Sequence, residues 1–182
     1  MVVYIAIGIV IIILIYILIT FNILIKKRNR VREAFSTMDV YLKKRWDLIP
    51  NIVECVKGYV KHENTTLEEV VSLRNTFYEE MNTDTKINTN SKLTPRIAKL
   101  IALSENYPEL RASENFRNLT KELSKVEEDI ANARKYYNAC VRIMNNQVEM
   151  FPSNLVAKMF GVHREKMFEA NESERENVKV DL

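Results

Sequence analysis

The stretch FRNLTKELSKVEEDIANARKYYNACVRIM, residues 116–144, decides the fold class of this chain. Apolar or small side chains recur in it at alternating spacings of three and four residues, at Phe116, Leu119, Leu123, Val126, Ile130, Ala133, Tyr137, Cys140 and Met144, and the pattern is predicted to continue to Phe151. A sustained period of about 3.5 residues is typical of a helix that packs along a supercoiled seam in bundles and coiled coils. The stretch therefore predicts a long helix in which Leu123 and Ile130 are buried, with Glu127 on the surface between them.

The residues upstream of this stretch also follow a helical pattern, in a chain of 182 residues with only three Gly and four Pro. Residues 31–48 keep helical spacing as far as Pro50, which is expected to end or kink the helix because proline lacks an amide donor. A second helix is predicted over residues 52–81, with Gly58 as its weak point. Residues 82–92 are polar and are predicted to form a connection.

A short third helix is expected to begin with Thr94 as its N-cap and Pro95 as its first residue. Residues 107–110, YPEL, then interrupt the chain before the long fourth helix, and Pro152 is expected to stop that helix ahead of a short apolar closing segment. No strand alternation or internal repeat is visible in the sequence. The pattern predicts an all-α protein in which an N-terminal transmembrane helix continues into an antiparallel four-helix bundle with long helices.

The first 25 residues, MVVYIAIGIVIIILIYILITFNILI, contain no charged side chain. At a rise of about 1.5 Å per residue, a helix of this length exceeds the roughly 30 Å of bilayer hydrocarbon. The run also lacks the basic start and small-residue cleavage site of a signal peptide. We therefore predict a transmembrane anchor at residues 1–25, a helical bundle at residues 26–170 and a polar, disordered tail at residues 171–182.

Five basic residues follow the apolar run: Lys26, Lys27, Arg28, Arg30 and Arg32. The positive-inside rule then predicts that the N-terminus lies outside the cell membrane and the bundle lies in the cytoplasm. Each base near an anionic leaflet contributes about 1 kcal/mol of attraction, although a plain stop-transfer signal explains the same pattern at least as well. Cys55 and Cys140 lie at apolar helical positions and fit reduced core residues.

A second basic cluster lies in residues 39–51, DVYLKKRWDLIPN. Three bases and one tryptophan form this cluster: Lys43, Lys44, Arg45 and Trp46. If exposed, they suit lipid headgroups or an acidic protein partner better than nucleic acid, since the chain is tethered to a membrane. A purely structural role for Trp46 near the proline is the stronger alternative. Asp39 and Asp47 are expected to pair with nearby bases or to cap the next helix.

No arrangement typical of catalysis is visible in the sequence. His62 and His163 belong to no metal-binding motif, no Ser lies on a Gly-flanked turn, and three dispersed glycines form no phosphate loop. Neither cysteine has a sequence-near base to activate it. We therefore expect no enzymatic activity, no cofactor and no metal. A site assembled from residues distant in sequence is the low-ranked alternative.

Residues 28–63, RNRVREAFSTMDVYLKKRWDLIPNIVECVKGYVKHE, closely resemble the signature of the bacterial LemA family. Residues 107–141 and 151–162 resemble two later blocks of the family, in the same order. The resemblance implies a single-pass membrane protein with a long antiparallel four-helix bundle, and it carries no catalytic residues. Phe35 and Tyr41 depart from the usual Trp and Gln, which bears on any partner that contacts those positions.

These features predict a non-enzymatic, membrane-anchored helical scaffold or adaptor at the cytoplasmic face. Its expected partners are the lipid bilayer, membrane or envelope proteins and a second copy of the chain, with no nucleic acid. The resemblance adds hints, because some relatives are associated with membrane remodelling around magnetosomes and others occur beside a membrane heat-shock metalloprotease. The alternative function is therefore modulation of envelope stress or of such a protease.

Overall fold

The structure, a computed structural model, describes residues 1–60 and 78–168 of the chain. Regular secondary structure in these two ranges is entirely helical. The α-helices are α1 (Val2–Lys57), α2 (Thr83–Ala102), α3 (Pro108–Ala112), α4 (Glu114–Glu149) and α5 (Ser153–Met159), with 3₁₀ turns at Tyr78–Glu80 and Leu103–Asn106. The all-α class is confirmed. The antiparallel four-helix arrangement stays a prediction, since residues 61–77 and the polar tail lie outside the described ranges.

Helix α1 is longer than the sequence pattern predicts, because it passes through Pro50 and ends at Lys57. Apolar side chains are buried on both sides of the proline, at Leu48, Ile49, Ile52 and Val53. Their burial offsets the missing amide donor, so the helix does not end at the proline, and the second helix predicted to begin at residue 52 does not start there. The chain leaves the helix in a turn at Gly58, the predicted weak point.

Helix α2 begins inside the segment predicted to be a polar connection. The side chain of Asn82 caps it by accepting a hydrogen bond from the backbone N–H of Thr85 at 2.8 Å. One face of the helix is buried, at Ile87, Asn90, Leu93, Ile97 and Leu100. The predicted helix start at Thr94 and Pro95 is therefore wrong. Burial of this face from Ile87 onward outweighs the preference of the polar residues for turns.

Helix α4 confirms the predicted seam. Leu123 is 1% exposed and Ile130 is 5% exposed, and the buried positions continue at Tyr137, Cys140 and Met144. The predicted closing segment forms helix α5. The seam residues of α4 therefore pack as core side chains, as their spacing indicates. The predicted continuation of the seam to Phe151 is wrong, since this residue lies beyond α4 and is 78% exposed.

The chain divides into two compact units, the first formed by Met1–Thr37 and Ala133–Met167, and the second by Met38–Asn132 and Phe168–Leu182. In the first unit Lys27 contacts Gln147 and Arg30 contacts Tyr136, so α1 and α4 run antiparallel there. In the second unit, Asp39 of α1 contacts Lys86 of α2, and Arg45, further along α1, contacts Asn90, further along α2. Helices α1 and α2 are therefore parallel within that unit.

The N-terminal part of α1 is long and apolar enough to cross a membrane. It is the one helix within the described ranges that meets this test, and its most apolar window of 18 residues has none of its side chains buried. The first buried side chains of α1 are those of Thr20 and Leu24. A helix that is apolar on every side suits hydrocarbon rather than water.

Candidate functional site

The five bases that follow the apolar run separate into two groups in the first unit. Lys27 donates a hydrogen bond to Oε1 of Gln147 at 3.1 Å, and Nε of Arg30 donates to the hydroxyl of Tyr136 at 3.3 Å. That hydrogen bond raises the pKa of Arg30. The remaining three are exposed or half-buried: Lys26, Arg28 and Arg32. Two of the predicted membrane-surface bases therefore also connect α1 to α4.

In the second unit, Arg45 is a buried charge bound by two other helices. Its guanidinium is 2% exposed, and Nη2 donates to the side-chain oxygen of Asn90 at 2.6 Å and to the Asn90 carbonyl at 2.8 Å. Nη1 donates to the Thr94 hydroxyl at 3.1 Å and to both carboxylate oxygens of Glu127, at 2.9 and 3.1 Å. Three helices, α1, α2 and α4, therefore meet at one guanidinium.

This arrangement corrects two predictions made from the sequence. Arg45 is not an exposed base, and Glu127 is not an ordinary surface residue, since it neutralises a buried charge. An unpaired charge in a protein interior costs several kcal/mol, so a buried arginine needs both its hydrogen bonds and its counterion. The two residues are 82 positions apart, and no local spacing reveals the pair.

The remaining members of the predicted partner-binding cluster also make contacts within the second unit. Trp46 is 4% exposed, with its ring 5.5 Å from the ring of Tyr78. This burial favours a structural role for Trp46 over contact with a partner. Lys43 lies 2.6 Å from Asp47, and this hydrogen bond raises the pKa of the lysine. Lys44 lies 3.2 Å from Glu122 with about half its side chain exposed.

Asp39 organises a polar group that the sequence pattern does not reveal. Its carboxylate accepts a hydrogen bond from the hydroxyl of Tyr78 at 2.6 Å and another from Nζ of Lys86 at 2.7 Å. The ammonium of Lys86 also lies 4.6 Å from the centre of the Tyr78 ring. Burial, followed by the hydrogen bond to Asp39, raises the pKa of Tyr78, so the phenol stays protonated and donating. Asp39 therefore pairs with a base 47 positions away rather than with a nearby one, whereas the predicted local pairing is confirmed for Asp47, which binds Lys43.

The contacts of Arg45 and the contacts of Asp39 both hold helices together. Within residues 1–60 and 78–168, no three His, Cys, Asp or Glu side chains come together in a way that could hold a metal ion. His163 is exposed, Cys140 is buried, and Cys55 borders an open groove of the second unit together with Glu54 and Tyr59. His62 lies outside the described residues. That the protein lacks enzymatic activity stays a prediction.

Comparison with known proteins gives two matches. The model of the LemA family matches residues 34–182. A protein called Protein LemA, from Metamycoplasma hominis, is 25% identical over 158 residues. That alignment covers 86% of this chain and 72% of the relative. The family match begins just after the five bases and includes both polar groups of the second unit.

Proposed function

Because the chain belongs to the LemA family, we propose that it is a non-enzymatic scaffold or adaptor anchored in the cell membrane by α1. It binds membrane or envelope proteins, or a second copy of itself, at the cytoplasmic face. One observation carries the proposal: the apolar segment of α1 continues without a break into residues of the first unit that are buried, such as Val31 and Ala34. An anchor that shares a helix with the packed core holds that core at the membrane surface.

The charged groups of the second unit support binding through a defined surface. Arg45 holds α2 and α4 against α1, and Asp39 holds the turn at Tyr78 and α2 against α1. These buried or half-buried hydrogen bonds keep the exposed side chains of the unit in set positions. Of the predicted partner-binding residues, Lys44 has the most exposed side chain, at 48%. Lys43 follows at 37%. These two lysines are therefore the members of the cluster available to a partner.

The proposal is tested by photo-crosslinking in intact cells of the native host. A crosslinking amino acid in place of Lys44 should yield discrete adducts with a membrane protein or a second copy, identified by mass spectrometry. The same amino acid in place of Lys125, which is exposed on α4 of the same unit, is the matched control and should give lower yields. Absence of discrete protein adducts at both positions would count against a scaffold, whereas capture of a membrane metalloprotease would favour control of proteolysis.

The cytoplasmic orientation follows from the five bases and is tested by thiol labelling. Ser124 is exposed, so Ser124→Cys, in a background of Cys55→Ser and Cys140→Ala, presents one reactive thiol. A membrane-impermeant maleimide should label this thiol only after the cells are lysed. The bases after the anchor keep residues that follow them on the cytoplasmic side of the membrane, according to the positive-inside rule. Equal labelling with and without lysis would reverse the proposed orientation.

A further inference from the structure

We propose that α5 and the turn before it lie in the membrane interface, with Phe151, Leu155 and Met159 inserted between the headgroups and the upper acyl chains of the bilayer. The inference rests on the proposed membrane anchorage. It adds a second contact with lipid, made by α5 rather than by the spanning helix.

Large apolar side chains are exposed along this segment. Their exposed fractions are 63% for Met150, 78% for Phe151, 60% for Leu155, 59% for Met159 and 46% for Phe160. The face of α5 that packs inward carries Ser153, Val156 and Ala157 instead. A helix in water normally buries its large apolar residues and exposes its small or polar ones. Helix α5 buries Val156 but leaves the larger Leu155 and Met159 exposed, so this part of its outer face matches an apolar environment.

The contacts of the first unit place this segment beside the end of the apolar run. The ring of Phe160 lies 4.4 Å from the ring of Phe21. Helix α4 ends close to the first bases, because Lys27 binds Gln147, and the hydroxyl of Ser153 donates to the Gln147 carbonyl at 2.7 Å. The segment therefore lies on the apolar side of Lys27, next to residues that belong to the predicted anchor.

Helix geometry puts that position at the edge of the hydrocarbon. A helix that crosses about 30 Å at about 1.5 Å per residue uses about 20 residues. Counted back from Lys26, the first charged side chain, Phe21 lies five residues, or about 7.5 Å, into the apolar run. The part of α1 that is exposed on every side ends at the same level, since Thr20 is the first buried side chain. The outer face of α5 therefore meets the boundary between headgroups and acyl chains, where apolar faces of surface helices bind.

The charges near the segment favour lipid as its occupant. Lys158 and Lys26 are exposed, and basic groups at this depth reach anionic headgroups while apolar neighbours enter the acyl region. A second copy of the chain is the competing occupant of this face, and the label measurements below distinguish it from lipid.

Nitroxide labels on the full chain test the inference. The label is placed at Leu155→Cys, with Ile11→Cys and Lys135→Cys as references, all in a background of Cys55→Ser and Cys140→Ala. Ile11 lies within the apolar run, and Lys135 is exposed on α4 of the same unit. The protein is reconstituted in vesicles of equal parts phosphatidylcholine and phosphatidylglycerol. Collision rates are then measured with oxygen, which enters lipid, and with a nickel chelate, which stays in water.

The label at Leu155 should show a ratio of oxygen to nickel collisions several-fold above that at Lys135 and closer to that at Ile11. A ratio equal to that at Lys135 overturns the inference. Protection from both reagents, with spin–spin broadening between labels, also overturns it, because a second copy then covers the face. Lipid exposure at Ile11 together with water exposure at Leu155 rejects the inference alone, whereas water exposure at both rejects the membrane anchorage as well.

Discussion

Glu127→Ala is expected to lower the free energy of unfolding by about 3 kcal/mol, the lower end of the range for removing one partner of a buried ion pair. Arg45 is 2% exposed, so it cannot regain hydration when its counterion is lost. Glu127 itself is 35% exposed, which places the effect at the lower end. The loss is measured as the shift of urea-induced unfolding of the full chain in detergent micelles, followed by helical circular dichroism.

Two matched variants distinguish the loss of the Glu127 charge from the general effect of placing alanine on α4. Glu128→Ala removes the same side chain from the adjacent, exposed position of α4 and should change the free energy of unfolding by less than about 0.5 kcal/mol. Glu127→Gln keeps an acceptor for Nη1 of Arg45 but removes the negative charge, so its effect should fall between the other two. If Glu127→Ala and Glu128→Ala unfold at the same urea concentration, the pair does not stabilise the fold.

Leu123→Ala should cost about 2–5 kcal/mol of unfolding free energy, the usual range when a buried leucine is truncated. The side chain is 1% exposed and lies on the seam of α4. Truncation removes apolar contacts and leaves a cavity that the surrounding helices fill only in part. The same urea titration in micelles measures the loss. Ile130→Ala, at 5% exposure on the same seam, is expected to behave alike.

Lys121→Ala provides the control for truncation on the same helix. Its side chain is exposed, and alanine is a good helix former, so stability should change by less than about 0.5 kcal/mol. Equal and small losses at Leu123, Ile130 and Lys121 would mean that α4 is not packed along its apolar seam.

The helix boundaries show where local signals mislead. Thr94 and Pro95 form a typical helix start when read alone, yet α2 begins at Thr83 and runs through both. Pro50 likewise fails to interrupt α1. In each case buried side chains on both sides of the proline supply more free energy than the lost hydrogen bond. Local propensity is weaker than burial, and burial depends on neighbours that the local pattern does not contain.

The polar groups show a second limit of sequence reasoning. Lys43, Lys44 and Arg45 are consecutive and chemically similar, and their sequence context predicts a common exposed cluster. In the structure the first two are partly exposed, whereas Arg45 is buried among Asn90, Thr94 and Glu127. Consecutive helical residues point about 100° apart around the axis. The packing of the other helices decides which of them is covered.

Hydrophobic periodicity and run length are properties of consecutive residues, so the all-α class, the apolar segment at the N-terminus and the seam of α4 could be predicted from the sequence. The packed helices alone reveal that Glu127 neutralises Arg45, that Asp39 joins Tyr78 to Lys86, and that Phe160 lies against Phe21. These contacts join residues between 39 and 139 positions apart. Side chains so distant meet only when helices pack, and a charge or an apolar ring acquires its role from what it then contacts.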